Sequence, residues 1–350
     1  MKAPFALSTF AIVAASLLNA AATTPPPVVH LDKRIIAGSA VEAGKYPFAV
    51  RLNIKRGEEE YLCGGSLLLN NYVVTAAHCL VDTDNNAIAE PHTVSVCYGS
   101  NSILDQTCTT ALNITVNRKY DPDSISNDIA LIQINPLTLK TGSIETVSVY
   151  TGQLSEKQTL TTMGWGKISN TSPTLPLTLM SVDIQIGTAK DCRVANPSYR
   201  TPNGPEVCSA NSLTPGKDSC QGDSGSPSVV TSNGIVYLAA LTSSGTDPKN
   251  PGSADCATSD GLAFYTHVNY FMSFITSTTG KSSASFTGSQ TSSSTTTTTD
   301  GSNSSGGASS PTSPSDTDNN KNNNNGSVGR SATLLSSALA AMAVLLALLL

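Results

Sequence analysis

Only the middle of this chain can fold around a core. Met1 to Ala22 opens with Lys2, runs through an apolar segment from Phe5 to Leu18 and closes in small residues. That is the pattern of a secretory signal peptide cut near Ala20 or Ala22, and the apolar run is short for a membrane span. From about Lys281 to Arg330 the chain is Ser, Thr, Asn, Gly and Pro with almost no large apolar residue. Such a stretch cannot bury enough apolar surface to offset the entropy of ordering it, so it is expected to be disordered. Its hydroxyls suit an O-glycosylated stalk. Leu334 to Leu350 is an almost uninterrupted apolar tail, preceded by Asn325-Gly326-Ser327 and a short polar spacer. Small residues, spacer and apolar tail have the layout of a GPI-attachment signal; a C-terminal transmembrane anchor is the alternative. The expected divisions are a signal peptide at 1–22, an activation propeptide at 23–34, a folded domain at 35–278, a stalk at 279–330 and a hydrophobic tail at 331–350.

Within 35–278 the apolar residues come in short runs broken by Gly, Pro, Asn and Ser. Tyr46 to Leu52 alternates faces, and Gly57-Glu58-Glu59-Glu60 reads as a solvated hairpin tip. Cys63 to Leu69 and Tyr72 to Thr75 read as strands around an Asn70-Asn71 turn. Short strands at this spacing predict an all-β barrel or sandwich. Helical periodicity is found around His267 to Thr278, where Val268, Phe271, Met272 and Ile275 share a face. Eight cysteines in an exported chain imply disulfides. A net charge of −5 with few basic clusters excludes nucleic acid as a partner.

The chemistry concentrates at Gly216 to Pro227, which contains Gly222-Asp223-Ser224-Gly225. A serine hydroxyl attacks only when a base takes its proton and backbone N–H groups face the developing oxyanion. A base is available at His78 in Thr75-Ala76-Ala77-His78-Cys79, where a small approach leaves the ring reachable. Of the four histidines, His30 and His92 have no supporting motif and read as solvated. Asp128 stands between apolar residues in Asn127 to Ile132, where an unpaired carboxylate would be costly, so it needs a partner. Lys33-Arg34 before Ile35-Ile36 is a natural processing point in a secreted chain.

Thr75 to Cys79 and Gly222-Asp223-Ser224-Gly225-Ser226-Pro227 together resemble the trypsin/chymotrypsin family of serine endopeptidases. Ile35-Ile36-Ala37-Gly38, Asn127 to Ile132 and Gly164-Trp165-Gly166 extend the resemblance from about Arg34 to Thr278. It implies two six-stranded antiparallel β-barrels with a C-terminal helix. It implies His78 as general base, Asp128 as its orienting carboxylate and Ser224 as nucleophile, with the Gly222 and Ser224 N–H groups as oxyanion hole. Cleavage after Arg34 would free the Ile35 ammonium to pair with Asp223, so the uncleaved chain would be a zymogen. Asp218 would sit at the base of the primary pocket and select Arg or Lys. The implied disulfides are Cys63–Cys79, Cys192–Cys208 and Cys220–Cys256, which leaves Cys97–Cys108.

The chain also departs from the family. The pocket strand has Thr242-Ser243-Ser244-Gly245, with Ser244 where the family carries tryptophan. A long insertion, Thr246 to Asp255, precedes Cys256. In Gly261 to Thr266, the pocket-wall glycine is either shifted or replaced by Ala263, whose methyl would narrow the pocket. Only Asp105 lies between Gly99 and Thr115, too few carboxylates for a calcium loop, and no metal or cofactor is expected. Asn113, Asn170 and Asn303 open glycosylation sequons, as does Asn325 near the tether site.

The expected protein is a secreted monomer, membrane-associated only through its C-terminal anchor. It would cleave proteins or peptides, need an activating protease and meet protein inhibitors. The alternative is a catalytically weak homologue acting as a binding module or decoy.

Overall fold

The computed structural model describes residues 36–288, except 83, 172 and 173. The signal peptide, Arg34, Ile35, Asn303 and the tail lie outside the described residues. Two sheets carry the fold, and all but one strand pairing is antiparallel. The first has seven strands in the order Thr107–Thr110, Val94–Tyr98, Ala49–Arg56, Glu59–Leu69, Tyr72–Thr75, Ala130–Gln133 and Asn113–Val116. The Ala49–Arg56 and Glu59–Leu69 strands are joined by the tight Gly57-Glu58 turn, with Arg56 opposite Glu59. Their burial alternates over Leu52 and Ile54, so one face enters the core.

The second sheet has eight strands. Six are substantial: Thr159–Gly164, Met180–Gln185, Glu206–Ala210, Pro227–Ser232, Ile235–Thr246 and Leu262–His267. Two short strands, Ser39–Ala40 and Ser148–Val149, add to it, the latter in parallel. The antiparallel all-β class, with strands gathered into two sheets and a short C-terminal helix, is as expected.

One core gathers the inner face of the first sheet with Trp165, Val229, Leu241 and the C-terminal helical region. A second fills the other sheet with Leu160, Val182, Ile184, Val207 and Tyr265. Val268–Phe271 forms a 3₁₀ turn leading into the helix Met272–Thr279. Val268, Phe271 and Ile275 are buried, as the periodicity requires. Gly280, at φ +67, ends the helix in the left-handed conformation that glycine adopts freely.

The stalk does not start at 279. The chain continues in regular structure through Ala284–Thr287, and Phe286 is buried to 1% exposure in the main core. A single aromatic in a Ser-rich run is enough to anchor the segment, since a buried ring of this size removes roughly 150–250 Å² of surface from water.

Candidate active site

Each key side chain stands where a strand ends. His78 lies on the 3₁₀ turn Ala77–Cys79, directly after the strand Tyr72–Thr75. Asp128 precedes the neighbouring strand Ala130–Gln133, which pairs with Tyr72–Thr75. Ser224 belongs to the loop feeding Pro227–Ser232 of the other sheet. The site is therefore assembled from both sheets.

His78 Nδ1 lies 2.7 Å from Asp128 Oδ2, and the His78 backbone N–H donates to Asp128 Oδ1 at 2.9 Å. The Ser243 hydroxyl donates to Asp128 Oδ2 at 2.5 Å, and Thr266 Oγ1 donates to the Asp128 carbonyl at 2.7 Å. Asp128 is 1% exposed. Burial alone would raise its pKa, but the His78 charge and the hydrogen bonds from His78 and Ser243 outweigh it and hold the carboxyl below its usual range. The aspartate is thus kept ionised and fixes the ring through Nδ1. The ring is half-buried, leaving Nε2 for chemistry. Arg56 steadies the same turn from the hairpin, donating to the carbonyls of Cys79 and Val81 at 3.0 Å each.

The Ser224 loop is held by its backbone. Gly64 N–H donates to the Ser224 carbonyl at 2.8 Å, and Gly225 N–H donates to Thr242 O at 2.7 Å. Gly222 and Gly225 have φ of +96 and +75, where a side chain would be strained. A Cβ on Gly225 would also lie 2.1 Å from Thr75 Oγ1. Among the described residues, neither the Gly222 nor the Ser224 N–H has a hydrogen-bond acceptor. Two unfilled donors beside a serine match what a developing oxyanion requires. The Ser224 hydroxyl makes no hydrogen bond to His78 among the described residues, a contact that is commonly loose until substrate is bound.

Beside Ser224 opens a cavity of ≈ 200 Å³ lined by Asp218, Ser244, Gly245, Asp255 and Ala263 among others. Asp218 is buried, its Oδ2 accepting from Asn211 Nδ2 at 3.0 Å and from Ala257 N–H at 3.1 Å. Its Oδ1 is buried without a partner among the described residues. Burial pushes the Asp218 carboxyl up, and the hydrogen bonds from Asn211 and the Ala257 N–H pull the other way. Ala263 pairs opposite Gly245, and it lines the cavity together with Gly261. Gly261 instead approaches Asn211, where a Cβ would lie 2.5 Å from Nδ2.

Asp223 is fully buried and accepts from Gly166 N–H at 2.7 Å and Cys220 N–H at 2.9 Å. The four disulfides are Cys63–Cys79, Cys97–Cys108, Cys192–Cys208 and Cys220–Cys256. The first is anchored next to His78 and the last spans the cavity rim. Cys63, His78 and Cys79 bring ligand atoms close together, but both sulfurs are spent in the disulfide and offer no thiolate to a metal. Of the sequon residues, Asn113 is exposed in a strand, while the Asn170 carboxamide is engaged with Cys256. Sequence reasoning gave no role to Ser243, Asn211 or Thr266. Their only trace is their place: Ser243 and Thr266 stand beside Ser244 and Tyr265 in strands that line the site, and Asn211 directly follows the strand Glu206–Ala210.

This arrangement suits acyl transfer to a serine, and the matches that follow make the chain a serine endopeptidase, a hydrolase. Residues 35–275 match the family model for Trypsin. Trypsin-3 of Salmo salar is 29% identical over 252 residues, covering 72% of this chain and 95% of that relative. Hypodermin-B of Hypoderma lineatum is 31% identical over 57% of this chain and 75% of its own. Serine protease 1 of Homo sapiens is 29% identical over 63% of this chain and 84% of its own. The chain belongs to the trypsin family of serine proteases.

Proposed function

We propose that this chain is made as a secreted zymogen and, after cleavage behind Arg34, hydrolyses proteins on the carboxyl side of Arg or Lys. His78 Nε2 takes the proton as Ser224 Oγ attacks the scissile carbonyl. Asp128 keeps the ring in the correct tautomer and stabilises the imidazolium. The Gly222 and Ser224 N–H groups receive the oxyanion, a contribution of about 10²–10³ in rate per donor. His78 returns the proton to the leaving amine, and water resolves the acyl-enzyme by the same steps. The freed Ile35 ammonium pairs with Asp223 and orders the oxyanion loop.

The observation that carries the specificity is Asp218 in the lining of the cavity beside Ser224, a buried carboxylate with one oxygen, Oδ1, unpartnered among the described residues. A buried carboxylate oxygen without a donor favours a substrate cation over any neutral side chain. Arg34 would itself fit this pocket, which makes self-activation an available route. The C-terminal tail would tether the enzyme to a surface through a GPI anchor, with sugars at Asn113 and on the stalk, Asn303 included.

Hydrolysis of peptide amides ending in Arg, Lys, Phe and Ala tests the reading. Arg and Lys should lead, and Asp218→Ser should abolish that lead. A preference for Phe or Ala would mean that Ser244 and Ala263 override the carboxylate. No turnover at all, with Ile35 confirmed as N-terminus, would favour the binding homologue.

A further inference from the structure

One side of the specificity cavity is held by a contact that the triad and the pocket aspartate do not account for. The Asn170 carboxamide grips the Cys256 residue at both ends. Asn170 Nδ2 donates to the Cys256 carbonyl at 3.0 Å, and the Cys256 N–H donates to Asn170 Oδ1 at 2.9 Å. The residue after Cys256 is Ala257, whose φ of +59 is unusual for a residue with a Cβ. Such a conformation persists only where its surroundings impose it. The Cys256 side chain is tied to Cys220 by the disulfide. On the following side, the Ala257 N–H donates to Asp218 Oδ2 at 3.1 Å. That bond and the one from Asn211 occupy Oδ2, while Oδ1 has no partner among the described residues.

We propose that Asn170 is a positioning residue of the specificity pocket: by gripping the Cys256 backbone it fixes the Cys256–Ala257 peptide plane, whose opposite edge, the Ala257 N–H, meets Asp218 and leads into the left-handed Ala257. The proposal rests on Asp218 reading a basic side chain, as argued above. Asn170 never touches substrate; it sets which carboxylate oxygen a substrate cation meets. A disulfide alone leaves the backbone free to rotate at this residue, whereas a donor and acceptor on one carboxamide fix its orientation.

The test uses the full secreted chain cleaved after Arg34, with kcat and KM measured on peptide amides ending in Arg and in Lys. Asn170→Ala should raise KM by about fivefold with kcat little changed, the value for two exposed hydrogen bonds of modest strength. Asn170→Asp, which keeps only the acceptor, should lie between. Glycine adopts the left-handed conformation without strain, so adding Ala257→Gly to Asn170→Ala should shrink the loss to about twofold. A merely structural role for Asn170 would not be rescued this way. Ser172→Ala removes the glycosylation sequon and leaves the carboxamide; if it reproduces the Asn170→Ala effect, a sugar is responsible and the proposal falls. Hydrogen exchange at the Cys256 and Ala257 amides gives a readout independent of specificity and should accelerate in Asn170→Ala. An unchanged KM with unchanged exchange overturns the proposal. If the wild type shows no Arg or Lys preference, the specificity reading fails, and the exchange rates alone decide whether the clamp exists.

Discussion

Replacing Asp223 by asparagine in the chain before cleavage after Arg34 isolates the cost of one buried charge. Burial pushes the Asp223 carboxyl from 3.8 up to about 7, against hydrogen bonds from Cys220 and Gly166; the negative charge of Asp218 adds to the rise. The folded midpoint lies above the unfolded one. The stabilisation from a protonated Asp223 is therefore complete below about 4, declines as pH rises and is lost once pH passes about 7. The whole displacement corresponds to on the order of 4 kcal/mol, and the part falling between about pH 5 and about pH 8 to on the order of 3 kcal/mol. The introduced amide carries no charge, so Asp223→Asn removes this slope. It also costs about 1–3 kcal/mol at every pH, because an amide nitrogen cannot accept the second backbone N–H. Denaturant unfolding at the two pH values separates the effects. The uncleaved wild type should lose on the order of 3 kcal/mol more than the variant between about pH 5 and about pH 8. After cleavage the wild-type slope should flatten, because in the proposed activation the Ile35 ammonium would pair with the carboxylate. Equal slopes for wild type and variant in the uncleaved chain would rule out a buried Asp223 that takes up a proton.

Other outcomes follow from single contacts. Ser243→Ala removes the hydroxyl that donates to Asp128 Oδ2 and should lower kcat by about tenfold in steady-state assays while KM stays nearly constant. Ala263→Gly takes a methyl out of the wall opposite Gly245 and should raise kcat/KM for Arg over Lys by roughly tenfold, since the longer, broader side chain gains most from the space. Phe286→Ala empties a site that is 1% exposed and should cost about 3–5 kcal/mol in denaturant unfolding. A chain truncated after Thr278 should lose a similar amount, which would confirm that the folded unit reaches beyond the C-terminal helix.

The residues legible in the sequence are those whose chemistry is written locally. His78, Asp128 and Ser224 each sit in a short run whose small or apolar neighbours already suggest the role, and the structure brings His78 and Asp128 to 2.7 Å. The strand pair around Asn70-Asn71 and the helical face of Val268, Phe271 and Ile275 follow from periods of about two and about 3.6 residues. What stayed hidden depends on long-range contact. Ser243 reaches Asp128 across 115 positions, and Asn170 reaches Cys256 across 86. A polar side chain in a loop, as Asn170, or at an irregularity inside a strand, as Ser243, leaves no periodic mark that would announce such a partner. The choice between Gly261 and Ala263 is open in the sequence for a related reason. Strand register, which the sequence does not show, sets Ala263 opposite Gly245, while Gly261 and Ala263 both line the cavity. Phe286 escapes a compositional reading because composition averages over a segment, and one buried ring in a Ser-rich run barely moves the average.

The chemistry turns on Ser224 being an activated nucleophile, and covalent labelling with a fluorophosphonate reads that property without an intermediary. The secreted chain, cleaved after Arg34, should take one label on Ser224. Labelling should be absent in Ser224→Ala, strongly slowed in His78→Ala and slow in the uncleaved chain. No label on the cleaved wild type, or a label that persists in Ser224→Ala, would contradict an activated Ser224.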